Sequence, residues 1–312
     1  MTDNVSDALR ATCMKARIYT SAFGKTVTVK DVSREVERSK GAVIGAVKVT
    51  ADKLAGADKH DKAVRAAQRF CVDALKDVSM PLANEDGWRL LPTSNFMPPA
   101  PLLKHLNEGK RMFDAALADY ERDVDNILDR ARLNLGELRV ELPTKDELLS
   151  AYTLRTAFEE LPSGVIPGLP EAANAKLQRI VQRKLEEAAL VAREHTLERF
   201  VAPLKHFVSA MDKYDQYEKD QANWKEGDPK PTGIFRDSVV GNIKGLYETL
   251  ASFNVLGDAD ITELGNMVAS LASTEPDALR NHPAVRSAAT QRAQAILGNL
   301  DSWLTPLSQA AE

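Results

Sequence analysis

The chain has 312 residues, 44% of them hydrophobic and 28% charged, with a formal net charge of −4. That balance is too apolar for a disordered chain and, taken whole, is not that of a nucleic-acid binder. Two cysteines, Cys13 and Cys71, fit no zinc or redox spacing and point to a reducing compartment.

Aromatic residues make up only 6% of the chain, and Ala, Leu, Val, Lys, Arg, Glu and Asp dominate, a composition that favours helix over sheet. The start, Met1-Thr2-Asp3-Asn4, is acidic and polar, unlike a signal peptide. The longest apolar stretch, Gly41–Val47, is too short to span a bilayer. A cytoplasmic protein is expected, with no membrane partner. Charge is uneven. Residues 1–97 carry 16 basic and 12 acidic side chains, residues 98–222 carry 18 and 22, and residues 223–312 carry 7 and 11. Drift on solvated faces accounts for this.

Residues 1–80 read as helices separated by a short extended piece, Thr26–Lys30, whose β-branched alternation suits a strand or an extended linker. Asp31 opens a helix that runs to Lys40, where Gly41 stops it. Val64, Ala67, Cys71, Leu75 and Val78 recur at helical spacing. The prolines at 81, 92, 98, 99 and 101 forbid regular helix over 81–101, yet Trp88, Leu90, Leu91, Phe96 and Met97 make this connection apolar enough to be pinned to the core.

The clearest pattern follows. Leu106, Phe113, Tyr120 and Ile127 recur every seven residues, and Leu103, Leu117, Val124, Ala131 and Leu138 interleave with them, Lys110 being the exception. This is a coiled-coil seam on a helix over 102–141, about 60 Å long at about 1.5 Å per residue. Thr144 and Glu147 form a capping-box pair for a short helix to about 153. Residues 161–170, with three prolines and two glycines, read as the tip before a return helix over 171–220. Leu177, Ile180, Val181, Leu185, Ala188 and Val191 line that helix first, then Leu197, Phe200, Leu204, Phe207, Met211 and Tyr214 in a shifted phase. Pro203 is expected to kink or split it. A linker is expected over 221–232. Shorter helices follow: one on Phe235 to Phe253 ending at Gly257, one capped near Asp260, one starting at Pro276, and one from Pro283 to near Gly298. The expected architecture is all-α: an antiparallel helical hairpin, with helices of the N- and C-terminal regions packed at its base. Its regions are 1–97, 98–222 and 223–312, with the tip at 161–170.

Chemistry is sparse. Gly24-Lys25-Thr26 resembles the end of a phosphate-binding loop, but Tyr19 stands where the first glycine belongs. Among the five histidines no two are four apart, so no zinc-protease helix is present. His195, beside Glu194 and Glu198, reads as an exposed or coil-flanking residue. Asp114, Glu121, Asp125 and Asp129 lie off the apolar seam and lack the Glu-x-x-His partners of a metal-binding bundle. No catalytic, metal or cofactor residue is assigned, and no enzyme is expected. Two basic runs are candidates for phosphate contact: Arg34, Arg38 and Lys40, and the stripe Lys176, Arg179 and Arg183, which Glu186 and Glu187 blunt.

Several segments resemble an uncharacterised family of helical proteins encoded by tailed bacteriophages. They are Trp88-Arg89-Leu90-Leu91-Pro92, and Phe235-Arg236-Asp237-Ser238 leading to Phe253-Asn254-Val255 and Asp258, with the helix, proline-rich tip and helix between them. The resemblance covers about residues 20–275. Its members are often encoded near MoxR-type AAA+ ATPases and von Willebrand A-domain proteins. It therefore implies an adaptor of a bacteriophage that presents a coiled-coil arm to an AAA+ ATPase or a host factor, or self-associates into a homo-oligomer. The alternative is a nucleic-acid-binding accessory of phage replication or recombination, or an inhibitor of a host nucleic-acid enzyme.

Overall fold

A computed structural model describes residues 2–54, 57–83, 85–96, 100–138, 140–225, 230 and 235–309. In chain order the described elements are α1 (Thr2–Thr12), β1 (Cys13–Ser21), β2 (Thr26–Thr28), α2 (Lys30–Lys40), β3 (Thr50–Asp52), α3 (Asp58–Asp77), β4 (Met80–Pro81), β5 (Arg89–Pro92) and α4 (Thr93–Phe96). Then come α5 (Leu102–Leu135), α6 (Lys145–Ser150), β6 (Thr153–Glu159), α7 (Glu171–Asn223), α8 (Ser238–Phe253), α9 (Ala259–Ala272), α10 (Pro276–Asn281) and α11 (Pro283–Gln309). Helix dominates, as expected, but the fold is not all-α: β4, β5, β1 and β6 make a four-stranded sheet in that order, and β2 pairs with β3.

The chain forms two compact units, each assembled from separated stretches. The first comprises Met1–Lys15, Val78–Pro98 and Glu159–Glu312, and the second Ala16–Asp77 and Pro99–Phe158. The region 98–222 is therefore divided, with α5 in the second unit and α7 in the first. The expected hairpin of these two helices is not confirmed. The chief neighbour of α5 is α3, and α7 packs on α1, α8 and α11 within its own unit. The physical reason is that a heptad seam asks only for an apolar partner, and α3 offers Val64, Ala67, Cys71 and Leu75 at matching spacing.

In the second unit the close approach of α3 and α5 depends on Gly109. A Cβ there would collide with the Cys71 sulfur and sit 3.0 Å from Cδ1 of Phe70. Gly109 also explains why Lys110 interrupts the seam harmlessly: the buried position is Gly109, and Lys110 is exposed. Strands β2 and β3 run antiparallel with Thr26 opposite Asp52. They join Val29 and α2 in an apolar cluster with Leu135, Leu138 and Val140. Helix α2 starts after Val29, with Asp31 in its first turn rather than at the cap, and ends on Gly41 at φ 64°. The capping box of α6 is present, with the Thr144 hydroxyl accepting from Glu147 N at 3.2 Å and the Glu147 carboxylate accepting from Thr144 N at 2.8 Å.

A polar group lies at the centre of this unit. Asp61 accepts from the Tyr152 hydroxyl at 2.9 Å, from Nε of Arg65 at 3.0 Å and from Lys25 at 3.0 Å. Burial alone would raise the carboxyl, but these donors outweigh it and hold Asp61 below its usual range. Burial, then the neighbouring Tyr120 and Asp61, pushes the Tyr152 hydroxyl well up. Gln68 donates to the carbonyls of Ser21, 2.8 Å, and Thr153, 2.9 Å, tying the end of β1 to the start of β6.

The first unit is organised along α7. Leu197, Phe200, Leu204, Phe207 and Met211 bury against Val239, Ile243 and Leu250 of α8, Leu264 and Val268 of α9, and Ala293 and Ile296 of α11. Val181, Leu185, Ala188, Ala189 and Ala192 bury against Leu9, Met80, Leu90, Leu161 and Phe253. Pro203 does not split the helix: α7 is continuous from 171 to 223 with Pro203 inside it. The flanking anchors Phe200, Leu204 and Phe207 are all buried and hold the turn in place despite its missing backbone donor. The 161–170 segment does not join two helices directly, since α6 and β6 intervene after α5. It folds onto the start of α7, where Asn174 accepts from Ile166 N at 3.0 Å. Gly164, at φ 75°, passes so close that a Cβ would lie 2.8 Å from Cα of Gln178. The last helix runs on past Gly298 to Gln309. The connection around Trp88 is strand β5 and the short α4 rather than a loop, with Leu90 and Leu91 buried. Met97, Pro98 and Pro99, and the Gly227, Pro229, Pro231 and Gly233 of the expected linker, lie outside the described residues.

Two stability outcomes follow from the second unit. Gly109→Ala gains helix propensity of about 1 kcal/mol but forces α3 and α5 apart, at about 1–3 kcal/mol. A net loss in urea denaturation is expected, and unchanged or raised stability would refute the close approach. Tyr152→Phe leaves an Asp61 lone pair without its donor and is expected to lower stability at pH 7 by about 1–3 kcal/mol. Because Asp61 has a depressed folded value, its contribution is present above the unfolded carboxyl range and is lost as pH falls through the folded value. The Tyr152→Phe deficit is therefore expected to be smaller at pH 3 than at pH 7.

Candidate functional site

An apolar concavity lies in the first unit, where α7 is lined with small residues. Ala189 and Ala192 project too little to fill the space between α1 and the turn joining α8 to α9. A cavity of about 280 Å³ results, lined by Val5 and Leu9 of α1, Glu186, Ala189, Leu190, Ala192 and Arg193 of α7, and Phe253–Leu256, Asp258 and Ile261. Leu9, Ala189, Ala192, Phe253 and Ile261 are buried, whereas Leu190 and Leu256 are exposed.

The polar groups around this groove are committed to structure. Asp258 caps α9, its carboxylate accepting from Asp260 N at 2.9 Å and Ile261 N at 3.1 Å. Asn254 accepts from Asp258 N at 2.6 Å and donates to the hydroxyl of Thr262 at 2.9 Å, closing the turn on itself. Arg193 donates to Asp258 at 2.9 Å, to Asp260, and to the carbonyl of Trp303 at 3.4 Å. A rigid turn is thus clamped beside the groove, leaving Glu186 and the exposed leucines at its mouth. Such a site offers shape and apolar surface, with Asp258, Asp260 and Asn254 already engaged in the turn.

The basic residues singled out in the sequence do not meet in one unit. Arg34, Arg38 and Lys40 are exposed on α2 in the second unit. Lys176, Arg179 and Arg183 are exposed on α7 in the first, with Arg183 4.0 Å from Glu187. Lys25 of the phosphate-loop-like triplet is paired with Asp61 at 3.0 Å. The helical acids are surface charges: Glu121 lies 3.6 Å from Lys145, Asp129 2.5 Å from Arg132, and Asp114 pairs with Lys110. Among the described residues no three His, Cys, Asp or Glu side chains gather as a metal-ligand group. No described helix is long and apolar enough to cross a membrane.

His195 is not the exposed residue expected. Its Nδ1 is shielded from solvent with no hydrogen-bond partner among the described residues. Burial first, then the charges of Arg89 and Arg199, lower it to about 4. The groove itself escaped the sequence reading because its walls come from residues 5–9, 186–193 and 253–261. The run of alanines at 188, 189 and 192 was the only local trace of it. Comparison of the chain with protein-family models, with curated proteins and with solved structures gives no match.

His195 generates a pH dependence. Its folded value lies below the ordinary histidine value near 6.5, so the unfolded chain takes up a proton first as pH falls. Stability is then lost between about 6.5 and 4, by about 1–2 kcal/mol after allowance for partial solvation. Chemical denaturation at pH 7 and pH 4.5 is expected to show a smaller difference for His195→Gln than for the parent. An equal difference would refute the assignment.

Proposed function

We propose that the chain is a non-enzymatic interaction protein that receives an apolar anchor from a protein partner in the groove of its first unit. The carrying observation is the groove itself: a buried apolar floor, two exposed leucines at its mouth, and polar walls already occupied by structural hydrogen bonds. A volume of about 280 Å³ falls at the small end of ligand sites. It suits one or two large side chains of an amphipathic segment better than a whole cofactor. Glu186 at the mouth favours a basic residue beside those anchors. This reading keeps the adaptor role and gives up the coiled-coil arm as its means. The family resemblance makes an AAA+ ATPase the first partner to try.

The test uses displayed random 15-residue peptides selected on the full chain, with affinities then measured by fluorescence anisotropy. Enriched peptides are expected to carry two apolar residues at helical spacing beside Lys or Arg, and to bind in the micromolar range. Leu190→Asp with Leu256→Asp, both at exposed positions, is expected to weaken them about tenfold or more. Failure to enrich any peptide, or equal binding to the variant, would overturn the proposal.

A further inference from the structure

Helix α2 ends in a loop that the structure holds with unusual firmness for something so exposed. The buried Glu37 carboxylate accepts from Gly45 N at 2.6 Å and Val47 N at 3.1 Å. The buried Ser33 hydroxyl accepts from Val49 N at 3.0 Å and donates to Val29 O at 2.8 Å. The main chain is closed by Ala42 N donating to Glu37 O at 2.9 Å. At the tip of this braced loop stand Val43 and Ile44, 80% and 87% exposed. Two large aliphatic side chains at this exposure, on a backbone pinned by a buried carboxylate, are placed for burial in something else.

The charges around the tip say what kind of surface that is. Arg38 and Lys40 lie in the half of α2 nearer the loop, Arg34 stands one turn before Arg38 near the middle of the helix, and Lys48 lies beyond the tip. All four are exposed, and none has an ion-pair partner among the described residues. Of the exposed acids of this helix, Asp31 sits at its start and Glu35 between Arg34 and Arg38, so from Arg34 to Lys48 four exposed cations stand against one exposed acid. We infer that the α2 loop is a binding element for duplex DNA. In it Arg34, Arg38, Lys40 and Lys48 engage backbone phosphates, and Val43 and Ile44 enter the minor groove as a wedge against a base step. Guanidinium groups suit phosphate oxygens, and apolar wedges flanked by cations are how proteins unstack and kink a duplex from that side. An anionic bilayer would be contacted by the same charges, but two aliphatic side chains present far less apolar surface than a single myristoyl chain, which by itself binds only marginally. The inference is independent of the groove in the first unit.

The experiment takes the full chain, a fluorescein-labelled random-sequence duplex and a duplex with 2-aminopurine at a TA step, at several salt concentrations. Binding that falls as salt rises is expected, with a rise in 2-aminopurine fluorescence on binding. Arg34→Gln with Arg38→Gln should weaken binding about tenfold and lower the salt slope by about one per cation removed. Val43→Ser with Ile44→Ser, which touches no bracing hydrogen bond, should keep the salt slope and lose the 2-aminopurine signal. Circular dichroism and thermal melting check that both variants remain folded. No binding to the duplex at low salt would overturn the inference, as would binding insensitive to the arginine pair. A 2-aminopurine response that survives Val43→Ser with Ile44→Ser would overturn the wedge. Co-sedimentation with phosphatidylserine vesicles, lost on that same change and without duplex binding, would replace DNA by a membrane surface.

Discussion

Burial of the apolar residues of α7, from Val181 to Met211, is the constraint on which the first unit depends. Two apolar clusters share this helix and divide it near Arg193. The Val181–Ala192 part gathers Leu9, Met80, Leu90 and Leu161, and the Leu197–Met211 part gathers α8, α9 and α11. A rod of this length is not stable through helix propensity alone. It is held because both clusters remove its apolar face from water. Near its far end the buried Arg286 guanidinium lies over Tyr214 at 5.0 Å and donates to Asp215, 2.5 Å, and to the carbonyl of Leu279, 2.7 Å. The chain direction between α10 and α11 is thereby tied to α7.

The groove is a consequence of the same packing. Where α7 carries Ala189 and Ala192, the small side chains leave space beside Phe253 and the α8–α9 turn, and the Arg193 clamp with Asp258 and Asp260 holds that turn beside the helix. Larger residues at these positions would fill the space, and a turn without the clamp would be free to close over it. An apolar hollow is thus maintained by charge pairs at its edge, an arrangement suited to receiving an apolar group without rearrangement.

The second unit solves a different problem. Among its buried residues is Asp61, whose carboxylate is satisfied by two cations and a tyrosine hydroxyl. Such a group fixes geometry more than it adds stability, since each member is costly if left alone. Bracing by buried polar side chains recurs at the α2 loop, where Glu37 and Ser33 hold backbone amides that no strand pairs.

Local signals were legible where one stretch of chain decides its own structure. The seam of α5, the capping box at Thr144 and Glu147, the stop at Gly41 and the proline starts of α10 and α11 all rest on neighbours within a turn or two. The extended piece at Thr26 was legible and is β2, but the strands of the four-stranded sheet were not. Cys13–Ser21 and Thr153–Glu159 are short, mixed in polarity and only partly buried, so neither alternates cleanly, and their pairing is made by partners far away in the chain. The amino-acid sequence by itself determined that the protein is mainly helical, where its longest helices run and which face of each is apolar. Only the tertiary structure decided what covers those faces, because an apolar stripe specifies burial without naming its partner. The pairing of α5 with α3, the groove beside α7 and the braced tip at Val43 and Ile44 come from residues that the sequence keeps apart and the fold brings together.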